Sequence, residues 1–420
     1  MTAAIGHRST RGMLKTRYGV PYWRDRLPGS RKPSYRAHRG HLECDVIVAG
    51  GGLTGCATAY VFAAAGVNVV LLEASRIGEG GTSAGAGLVL HDPEVRFRTL
   101  ESTYGLKVSR HIWQATRRGA LDLTATIRRL DIKCGLEAQD SVEFATGDES
   151  ALLVRREYQA RRAAGVEASF IKGEQLRRGA LSGSAAIRMR EVAHLDPYRA
   201  CLGFAAAAAG RGAQLFERTM VKRVRFTRKD VEVQTAAGTA RATTLVVATG
   251  SPTSLFSPLQ RHFARRESYL TLTQPLNAAM RRATGPRKAT LRDFGDPPHH
   301  LRWMSEDRIL FTGADQPETP QRIREKTIIQ RTGQLMYELS TWYPEISGLL
   351  PTYGWSAPYS RTVDGVPYIG PHRNYPHHLF ALGFGAHSVS FALLAGRILL
   401  RHHLREPERA DDVFAFTRTL

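Results

Sequence analysis

A glycine-rich turn near residue 50 has the residue types and the spacing that bind a pyrophosphate. Residues 50–55 read Gly-Gly-Gly-Leu-Thr-Gly and fit the pattern G-x-G-x-x-G. In this pattern Gly50 permits a tight turn, Gly52 lets a phosphate approach the backbone, and Gly55 lets the following helix pack closely on the strand. The N–H groups and the positive dipole end of that helix would bind the phosphate. A purely structural glycine turn is the alternative interpretation.

The elements that must position this turn form a Rossmann-type βαβ unit. The apolar run 45–49 predicts a buried strand, residues 53–65 predict a helix that Gly66 ends, and residues 67–72 predict a second buried strand. Glu73 follows the second strand, roughly 20 residues after the glycines, where a carboxylate suits two ribose hydroxyl groups and repels a 2′-phosphate. The unit therefore predicts a dinucleotide site.

A second glycine turn lies near the other end of the chain. Residues 382–390 read Leu-Gly-Phe-Gly-Ala-His-Ser-Val-Ser, which predicts a strand, a turn and the start of a helix. This turn would aim a helix N-terminus into the interior, where its dipole stabilises a ring that becomes negative on reduction. Residues 78–87, rich in small residues, predict a loop that could wrap a flat ring or a pyrophosphate. An ordinary strand–helix turn and a flexible loop are the alternatives.

The remaining periodicity predicts an α/β protein, in which the Rossmann-type domain is interleaved with an antiparallel β-rich substrate domain. Three segments alternate like half-buried antiparallel strands: 269–273, 300–304 and 309–312. Four segments have helical spacing: 108–130, 148–164, 196–210 and 320–342. The expected organisation is a basic N-terminal arm at 1–41, the dinucleotide domain with helical and substrate-domain insertions at 42–255, mainly substrate domain at 256–352, and a return to the dinucleotide domain at 353–420.

The composition is that of a globular protein without a metal site or a disulfide scaffold. Of 420 residues, 42% are apolar and 23% are charged. The four cysteines, at 44, 56, 134 and 201, form no C-x-x-C pair. The histidine pairs at 299–300, 377–378 and 402–403 lack a third ligand at metal spacing, and they are interpreted as surface or loop residues. No apolar run is long enough to span a bilayer and no signal peptide is recognisable, which predicts a soluble cytoplasmic protein.

The net charge is strongly positive. The 59 Lys and Arg residues against 38 Asp and Glu residues give +21, and residues 1–40 hold ten Lys and Arg residues and one Asp. Such an arm could contact nucleic acid or an anionic surface. A solvated basic extension is the simpler interpretation, and a transit peptide is a third. Tyr22 and Trp23 are expected to dock on the body of the protein, since exposing both rings to water is costly.

Five motifs together resemble the glycine oxidase and D-amino-acid oxidase-like superfamily of FAD-dependent oxidoreductases over nearly the whole chain. They are DVIVAGGGLTGCATAYVFAAAGVNVVLLEASRIG at 45–78, HLDPYRACLGFAAAAAGRGAQLFERT at 194–219, LVVATG at 245–250, VDGVPYIG at 363–370 and FALGFGAHSVSFALLAGRIL at 380–399. The arm around Tyr22 and Trp23 is similar to the start of the branch that includes γ-glutamylputrescine oxidoreductase. Many flavoproteins share the first motif, whereas its combination with DGxPxIG and G-x-G-x-H is more specific.

The resemblance implies that the bound dinucleotide is FAD. Asp364 and the turn 383–389 would border the flavin ring, and Glu73 would hold the adenosine ribose. The glycine motif and the resemblance together give the residues expected to contact FAD: Gly50, Gly52, Leu53, Thr54, Gly55, Glu73, Ala74, Arg76, Thr82, Ser83, Ala248, Thr249, Gly250, Asp364, Gly383, Gly385, His387, Ser388 and Val389.

Three departures from the family pattern bear on the substrate and on the attachment of the flavin. Residues 84–87 read Ala-Gly-Ala-Gly where the family often has Arg-Asn-Gly-Gly. Tyr359 stands where amino-acid oxidising members often have an Arg, which puts the usual carboxylate partner in doubt. Members with covalent flavin place a Cys just before DGxP, and residues 357–362 contain none. We therefore expect FAD to be bound non-covalently.

The resemblance implies oxidation of the carbon–nitrogen bond of a small amine or amino acid. A hydride passes to N5 of the flavin, the imine hydrolyses in water, and O2 or another acceptor takes the electrons. The candidate catalytic residues are Arg302, as the forked partner of a carboxylate, and Tyr359 and His387, by their places in the motifs. A surface arginine and a helix-terminal histidine are the competing interpretations for Arg302 and His387.

Two other classes of function stay open from the sequence alone. A flavoprotein that acts on a modified nucleic-acid base fits the charge of +21, although no accompanying RNA-binding module is visible. A flavin-binding subunit without turnover of its own, acting as an interaction protein, is the other alternative. Salt-sensitive RNA binding would favour the first alternative, and a flavin that no small amine reduces would favour the second.

Overall fold

The computed structural model describes residues 15–418. The described residues exclude 1–14 of the basic arm and 419–420. The expected contact of the arm with nucleic acid or an anionic surface therefore falls partly outside the described residues. Within residues 15–418, no helix combines the length and the apolar composition that a bilayer crossing requires.

Eighteen strands and ten α-helices make up the described chain. The strands are β1 Arg17–Tyr18, β2 Gly40–Ala49, β3 Val69–Leu72, β4 Leu88–Val89, β5 Glu137–Ala145, β6 Ser169–Lys172, β7 Ala185–His194, β8 Gln214–Phe216, β9 Arg223–Phe226, β10 Val231–Gln234, β11 Gly238–Gly250, β12 Phe263–Thr273, β13 Ala289–Asp293, β14 His300–Met304, β15 Arg308–Pro317, β16 Pro351–Thr362, β17 Tyr368–His372 and β18 Tyr375–Leu382. The helices are α1 Tyr22–Arg26, α2 Leu53–Ala64, α3 Gly81–Ala84, α4 Phe97–Arg129, α5 Asp148–Ala163, α6 Gly173–Arg178, α7 Pro197–Ala209, α8 Ala278–Ala283, α9 Arg324–Trp342 and α10 Ser388–His403.

The smaller sheet contains the predicted βαβ unit. Its strand order is β17-β18-β11-β2-β3-β8, with β10 and β9 extending from β11, and β18, β11, β2, β3 and β8 run parallel. Residues 46–48 and 69–71 are fully buried, because helices cover one face of these parallel strands and apolar side chains cover the other. Helix α2 packs between α7 and α10. The prediction of a Rossmann-type unit is confirmed.

The larger sheet is mostly antiparallel and supplies the β-rich part of the fold. Its strand order is β1-β16-β12-β15-β14-β13-β5-β7-β4, with β6 paired to β7. Alternation along β14 places Leu301 and Trp303 in the core under α9, and His300 and Arg302 on the opposite face. The predicted α/β fold with an antiparallel β-rich part is therefore confirmed.

The chain passes between the two sheets several times. Strands β5 to β7 belong to the larger sheet and fall within residues 42–255, where substrate-domain insertions into the dinucleotide domain are expected. Strand β16 belongs to the larger sheet too, although it runs past the expected boundary at 353. The predicted helix at 108–130 begins earlier, at Phe97, and it contains a break at Gly105 with a φ of +75°.

Two buried arginines share one buried glutamate where α5 packs on the larger sheet. Arg161 of α5 and Arg292 of β13 each place Nη2 2.9 Å from Oε2 of Glu143 on β5. Arg292 also forms a two-point ion pair with Asp92, at 3.0 and 3.2 Å, and Arg161 pairs with Glu157 at 2.8 Å. Burial raises the pKa of Glu143, but the attraction of Arg292 and Arg161 outweighs it and lowers the pKa to about 2.

Glu143→Gln should lower the free energy of unfolding by about 3–5 kcal/mol, because it leaves two buried guanidinium groups incompletely paired. Since the folded-state pKa of Glu143 is depressed, its contribution is present above the unfolded-state pKa and is lost as pH falls towards 2. Urea unfolding at neutral pH and at several acidic pH values measures both effects. The parent should lose more stability than Glu143→Gln over the acidic range.

Glu174→Gln is the matched control, since Glu174 pairs with Arg178 at the surface with 69% of its side chain exposed. The Glu174→Gln protein should have nearly the same free energy of unfolding as the parent. A Glu143→Gln protein as stable as the Glu174→Gln protein would contradict the importance of the buried network.

Candidate cofactor and substrate site

A cavity of about 900 Å³ lies where the two sheets meet. One side is lined by the turn after β2 and by the ends of β3 and β11, so it sits at the carboxyl ends of parallel strands, where α/β sheets bind ligands. The other side is lined by residues of β12, β14, β15 and β16 and by the start of α10. Binding cavities span roughly 300–1,000 Å³, so this one is large enough for a dinucleotide.

Each of the three motif glycines has its own structural reason in this turn. Gly50 has a φ of +110°. A Cβ on Gly55 would lie 1.9 Å from the carbonyl oxygen of Gly50, so any larger residue would push α2 off the strand. A Cβ on Gly52 would meet only Thr82 Oγ1, at 3.2 Å. Gly52 therefore leaves the turn open towards the cavity.

Glu73 is held in the cavity wall by backbone donors. Its Oε2 accepts a hydrogen bond from the Gly51 N–H at 2.7 Å, and its Oε1 accepts one from the Ser75 N–H at 2.8 Å. Thr82 Oγ1 accepts from the Leu53 N–H at 2.9 Å, which ties α3 to the start of α2. A fixed carboxylate and a helix N-terminus at one edge are the groups that a ribose and a pyrophosphate require.

Most residues predicted to contact FAD line this cavity, namely Gly50, Gly52, Leu53, Thr54, Glu73, Ala74, Thr82, Ala248, Thr249, Gly250, Gly385, His387 and Ser388. The others lie outside the lining, namely Gly55, Arg76, Ser83, Asp364, Gly383 and Val389. Gly55 and Gly383 have packing roles, since a Cβ on Gly383 would lie 2.6 Å from the Phe263 ring. Contact of each residue with FAD stays a prediction.

Asp364 fixes the C-terminal segment of the described chain. Its carboxylate accepts hydrogen bonds from Arg418 at 2.8 and 3.1 Å and from the Tyr104 hydroxyl at 2.5 Å. Burial raises the pKa of Asp364, but the attraction of Arg418 outweighs burial, so the pKa of this carboxyl lies below its usual range. The structure thus places Asp364 in an ion pair rather than in the cavity wall.

A carboxylate occupies part of the helix N-terminus that the sequence places beside the flavin. The Ala386 N–H donates to Glu94 Oε2 at 3.2 Å. A Cβ on Gly385 would lie 1.8 Å from the same oxygen. Gly385 has a φ of +62°, which favours glycine there, and one N–H of the turn is already satisfied by Glu94.

His387 presents a neutral imidazole to the cavity. Its Nδ1 lies 3.3 Å from the carbonyl oxygen of Asp92, which places the ring proton on Nδ1. Its Nε2 is buried and has no hydrogen-bond partner within residues 15–418. Burial lowers the pKa of His387 more than the Asp92 carboxylate raises it. Nε2 is therefore an acceptor whose lone pair is not used by the protein.

His300 lies beside His387, with the ring centroids 5.7 Å apart. It also lines the cavity, and its buried Nε2 has no partner in the described chain. Interpreting the histidine pairs as surface or loop residues is wrong for His300, and also for His378, which is 2% exposed. The alternation of β14 was the available signal, since it puts His300 on the same face as Arg302.

Tyr359 lines the cavity, whereas Arg302 does not. The Tyr359 hydroxyl donates to Asp315 Oδ2 at 2.5 Å, and burial raises the pKa of both groups. Arg302 is 5% exposed, and its Nη1 donates to three backbone carbonyls. A substrate role for Arg302 stays a prediction that its placement does not support.

Three charged side chains in the cavity lining, Lys222, Arg265 and Glu318, were not identified from the sequence. Arg265 places Nη1 3.4 Å from Oε2 of Glu318, and 57% of its side chain is exposed. Strand β12 starts at Phe263, six residues before the predicted strand at 269–273, so the predicted strand did not include Arg265. Arg265 offers the cavity a guanidinium group that Arg302 does not.

Comparison with known proteins agrees with this geometry. The family described as DAO, FAD dependent oxidoreductase, matches residues 45–401. The γ-glutamylputrescine oxidoreductase of Escherichia coli (strain K12) is 24% identical over 381 residues, which cover 88% of this chain and 86% of that protein. The glycine oxidase of Bacillus licheniformis is 25% identical over 393 residues, which cover 89% of this chain and 96% of that protein.

Solved structures share the fold of this chain. The crystal structure of glycine oxidase from Geobacillus kaustophilus aligns with a TM-score of 0.73 at 19% identity, and the alignment covers 90% of this chain and 100% of that one. The family match spans most of the chain and includes both glycine turns. The chain therefore belongs to the DAO family of FAD dependent oxidoreductases, and FAD is its cofactor.

Proposed function

We propose that FAD binds non-covalently in the cavity between the two sheets. Glu73 would hold the adenosine ribose, and the turn at Gly52 with the start of α2 would hold the pyrophosphate. The space over Gly52 and the backbone-fixed carboxylate support this placement. None of the four cysteines, all within the described residues, lines the cavity, which supports non-covalent binding.

We further propose that the enzyme oxidises the carbon–nitrogen bond of a small amine or amino acid. The similar proteins are named for glycine and for γ-glutamylputrescine, an amino acid and an amine. Bound FAD would supply the hydride acceptor for the carbon next to nitrogen, and the imine product would hydrolyse in water. O2 or another acceptor would then take the electrons. The protein must bind the amine and remove its extra proton.

The observation that best supports this proposal is the Nε2 of His387, which is free to accept a proton from the amine. An alkylammonium group has a pKa of about 10, so an amine arrives protonated at neutral pH. Only the neutral amine has the lone pair that assists loss of the hydride. Nε2 of His387 can accept the ammonium proton, while the Asp92 carbonyl holds the ring by Nδ1. His300 lies within reach to accept a second N–H of the substrate.

We propose Arg265 as the partner of a carboxylate on the substrate. It lines the cavity, and its pairing with Glu318 leaves it partly exposed. A guanidinium forms two parallel hydrogen bonds with a carboxylate. Tyr359 lies on the neighbouring strand β16, where the hydroxyl oxygen can still accept a hydrogen bond.

Gly52→Val should abolish FAD binding. The backbone at Gly52 is extended, with φ −73° and ψ 178°, so valine fits the conformation while its side chain fills the space over the turn. The ratio of acid-released FAD to purified protein measures the effect, and acid should release the flavin of the parent completely. Gly333→Val on α9, where a Cβ has nothing within 4 Å, is the control. A folded Gly52→Val protein with full FAD content would disprove this placement.

His387→Gln should lower kcat/KM for an amine by about 10²- to 10⁴-fold at neutral pH. Burial lowers the pKa of His387, so the parent should lose kcat/KM only below the usual histidine pKa, as the imidazole becomes protonated. The variant should lack that acidic limb, and it should recover part of its rate at high pH, where the amine is neutral without a base. Steady-state rates across the pH range measure this.

His378→Gln is the matched control for His387→Gln, because His378 is buried but lies outside the cavity lining. A merely structural role of His387 predicts a pH-independent loss. Equal pH profiles for both variants and the parent would remove His387 from the proton transfer.

A further inference from the structure

Four consecutive backbone carbonyls of the loop 84–87 each accept a hydrogen bond from a buried side chain. The Ala84 oxygen accepts from Trp355 Nε1 at 2.9 Å, and the Gly85 oxygen accepts from Trp23 Nε1 at 2.8 Å. Arg302 Nη1 donates to the Ala86 oxygen at 2.8 Å and to the Gly87 oxygen at 3.1 Å. We call these three donors, Trp23, Trp355 and Arg302, the carbonyl clamp.

The donors come from three separate parts of the chain. Trp23 lies on α1 in the N-terminal arm, Arg302 on β14 and Trp355 on β16. They are 4%, 5% and 1% exposed, respectively. The Arg302 guanidinium also lies over the Trp23 ring, with Cζ 5.1 Å from the ring centroid. The expectation that Trp23 docks on the body is thereby confirmed.

The loop that the clamp holds is part of the cavity wall. Gly85 and Ala86 line the cavity directly. Gly87 has a φ of +70°, and a Cβ there would lie 2.1 Å from the Leu195 oxygen and 2.9 Å from Arg302 Nη1. A loop built from glycine and alanine has much backbone freedom. Without outside donors, its carbonyls would sample many orientations.

We propose that Trp23, Trp355 and Arg302 are positioning residues for FAD, and that helix α1 of the N-terminal arm is therefore part of the cofactor site. This proposal rests on the proposed placement of FAD in the cavity. A clamped loop keeps its part of the wall in place around bound FAD, whereas a mobile loop opens the wall for part of the time and lets FAD leave, so the release rate rises. The clamp acts by slowing the release of FAD.

The surroundings of Arg302 fit this role better than substrate binding. All three acceptors of its Nη1 are neutral backbone carbonyls, the third being Leu195 at 3.0 Å. Burial lowers the pKa of Arg302 to about 9, with partial compensation from Asp196 and Glu137, so the group is still charged at pH 7. Hydrogen bonds from a charged donor are stronger than those from a neutral one. The charge of Arg302 therefore strengthens its hydrogen bonds to the Ala86 and Gly87 carbonyls.

Trp23→Phe is the sharpest test, because it keeps a ring over Arg302 and removes only the donor to Gly85. The rate at which FAD leaves the holoenzyme, followed by the fluorescence of free flavin, should rise about tenfold. Trp303→Phe is the matched control: the Trp303 Nε1 is buried without a partner in the described chain, and the ring lies on the α9 face of β14. It should release FAD at the parental rate.

Arg302→Met and Arg265→Met separate cofactor positioning from substrate binding. Arg302→Met should raise the FAD release rate at least tenfold with little change in KM for an amino-acid substrate, and Arg265→Met should show the reverse pattern. Parental release rates in both Trp23→Phe and Arg302→Met would overturn the proposal, as would a raised KM in Arg302→Met with normal FAD release. Failure of the FAD placement itself would be seen separately, as full FAD content in Gly52→Val.

Discussion

The contact between Gly55 and Gly50 determines where every other group of the site lies. Because no side chain separates them, α2 starts directly at the carboxyl end of β2, and its N-terminus faces the same edge as Glu73 after β3. The carboxyl ends of β2, β3 and β11 meet there and form one side of the cavity. The larger sheet closes the other side, so both sheets must be in place before the site exists.

The cavity wall contributed by the larger sheet depends on the alternation of β14. The face of β14 opposite α9 carries two polar residues, His300 and Arg302. A buried polar group is costly unless it has a hydrogen-bond partner in the protein or in a ligand. Arg302 is paired with the carbonyls of the loop 84–87, whereas His300 and the adjacent His387 keep unpaired ring nitrogens. Arg302 is thus paired within the protein, whereas the unpaired ring nitrogens of His300 and His387 are the groups available to a substrate.

Sequence patterns could predict the parts of the fold that depend on local order. The strand, helix and strand between 45 and 72 follow from apolar runs and a glycine turn, and so do α5, α7 and α10. The pairing of β5 to β7 with the larger sheet, and of Arg418 with Asp364, depends on contacts distant in sequence, so local patterns do not report it. Arg302 has the residue type of a carboxylate partner, and only the backbone carbonyls packed around it reveal another use.

Anaerobic titration of the purified protein shows whether a small amine or amino acid reduces the bound flavin. The absorbance of the bound flavin is followed while a panel of small amines and amino acids is added in the absence of O2. At least one of them should bleach the flavin absorbance, and admitting O2 or another electron acceptor should restore it. A flavin that dithionite reduces, but that no amine or amino acid reduces, would contradict amine oxidation by this enzyme.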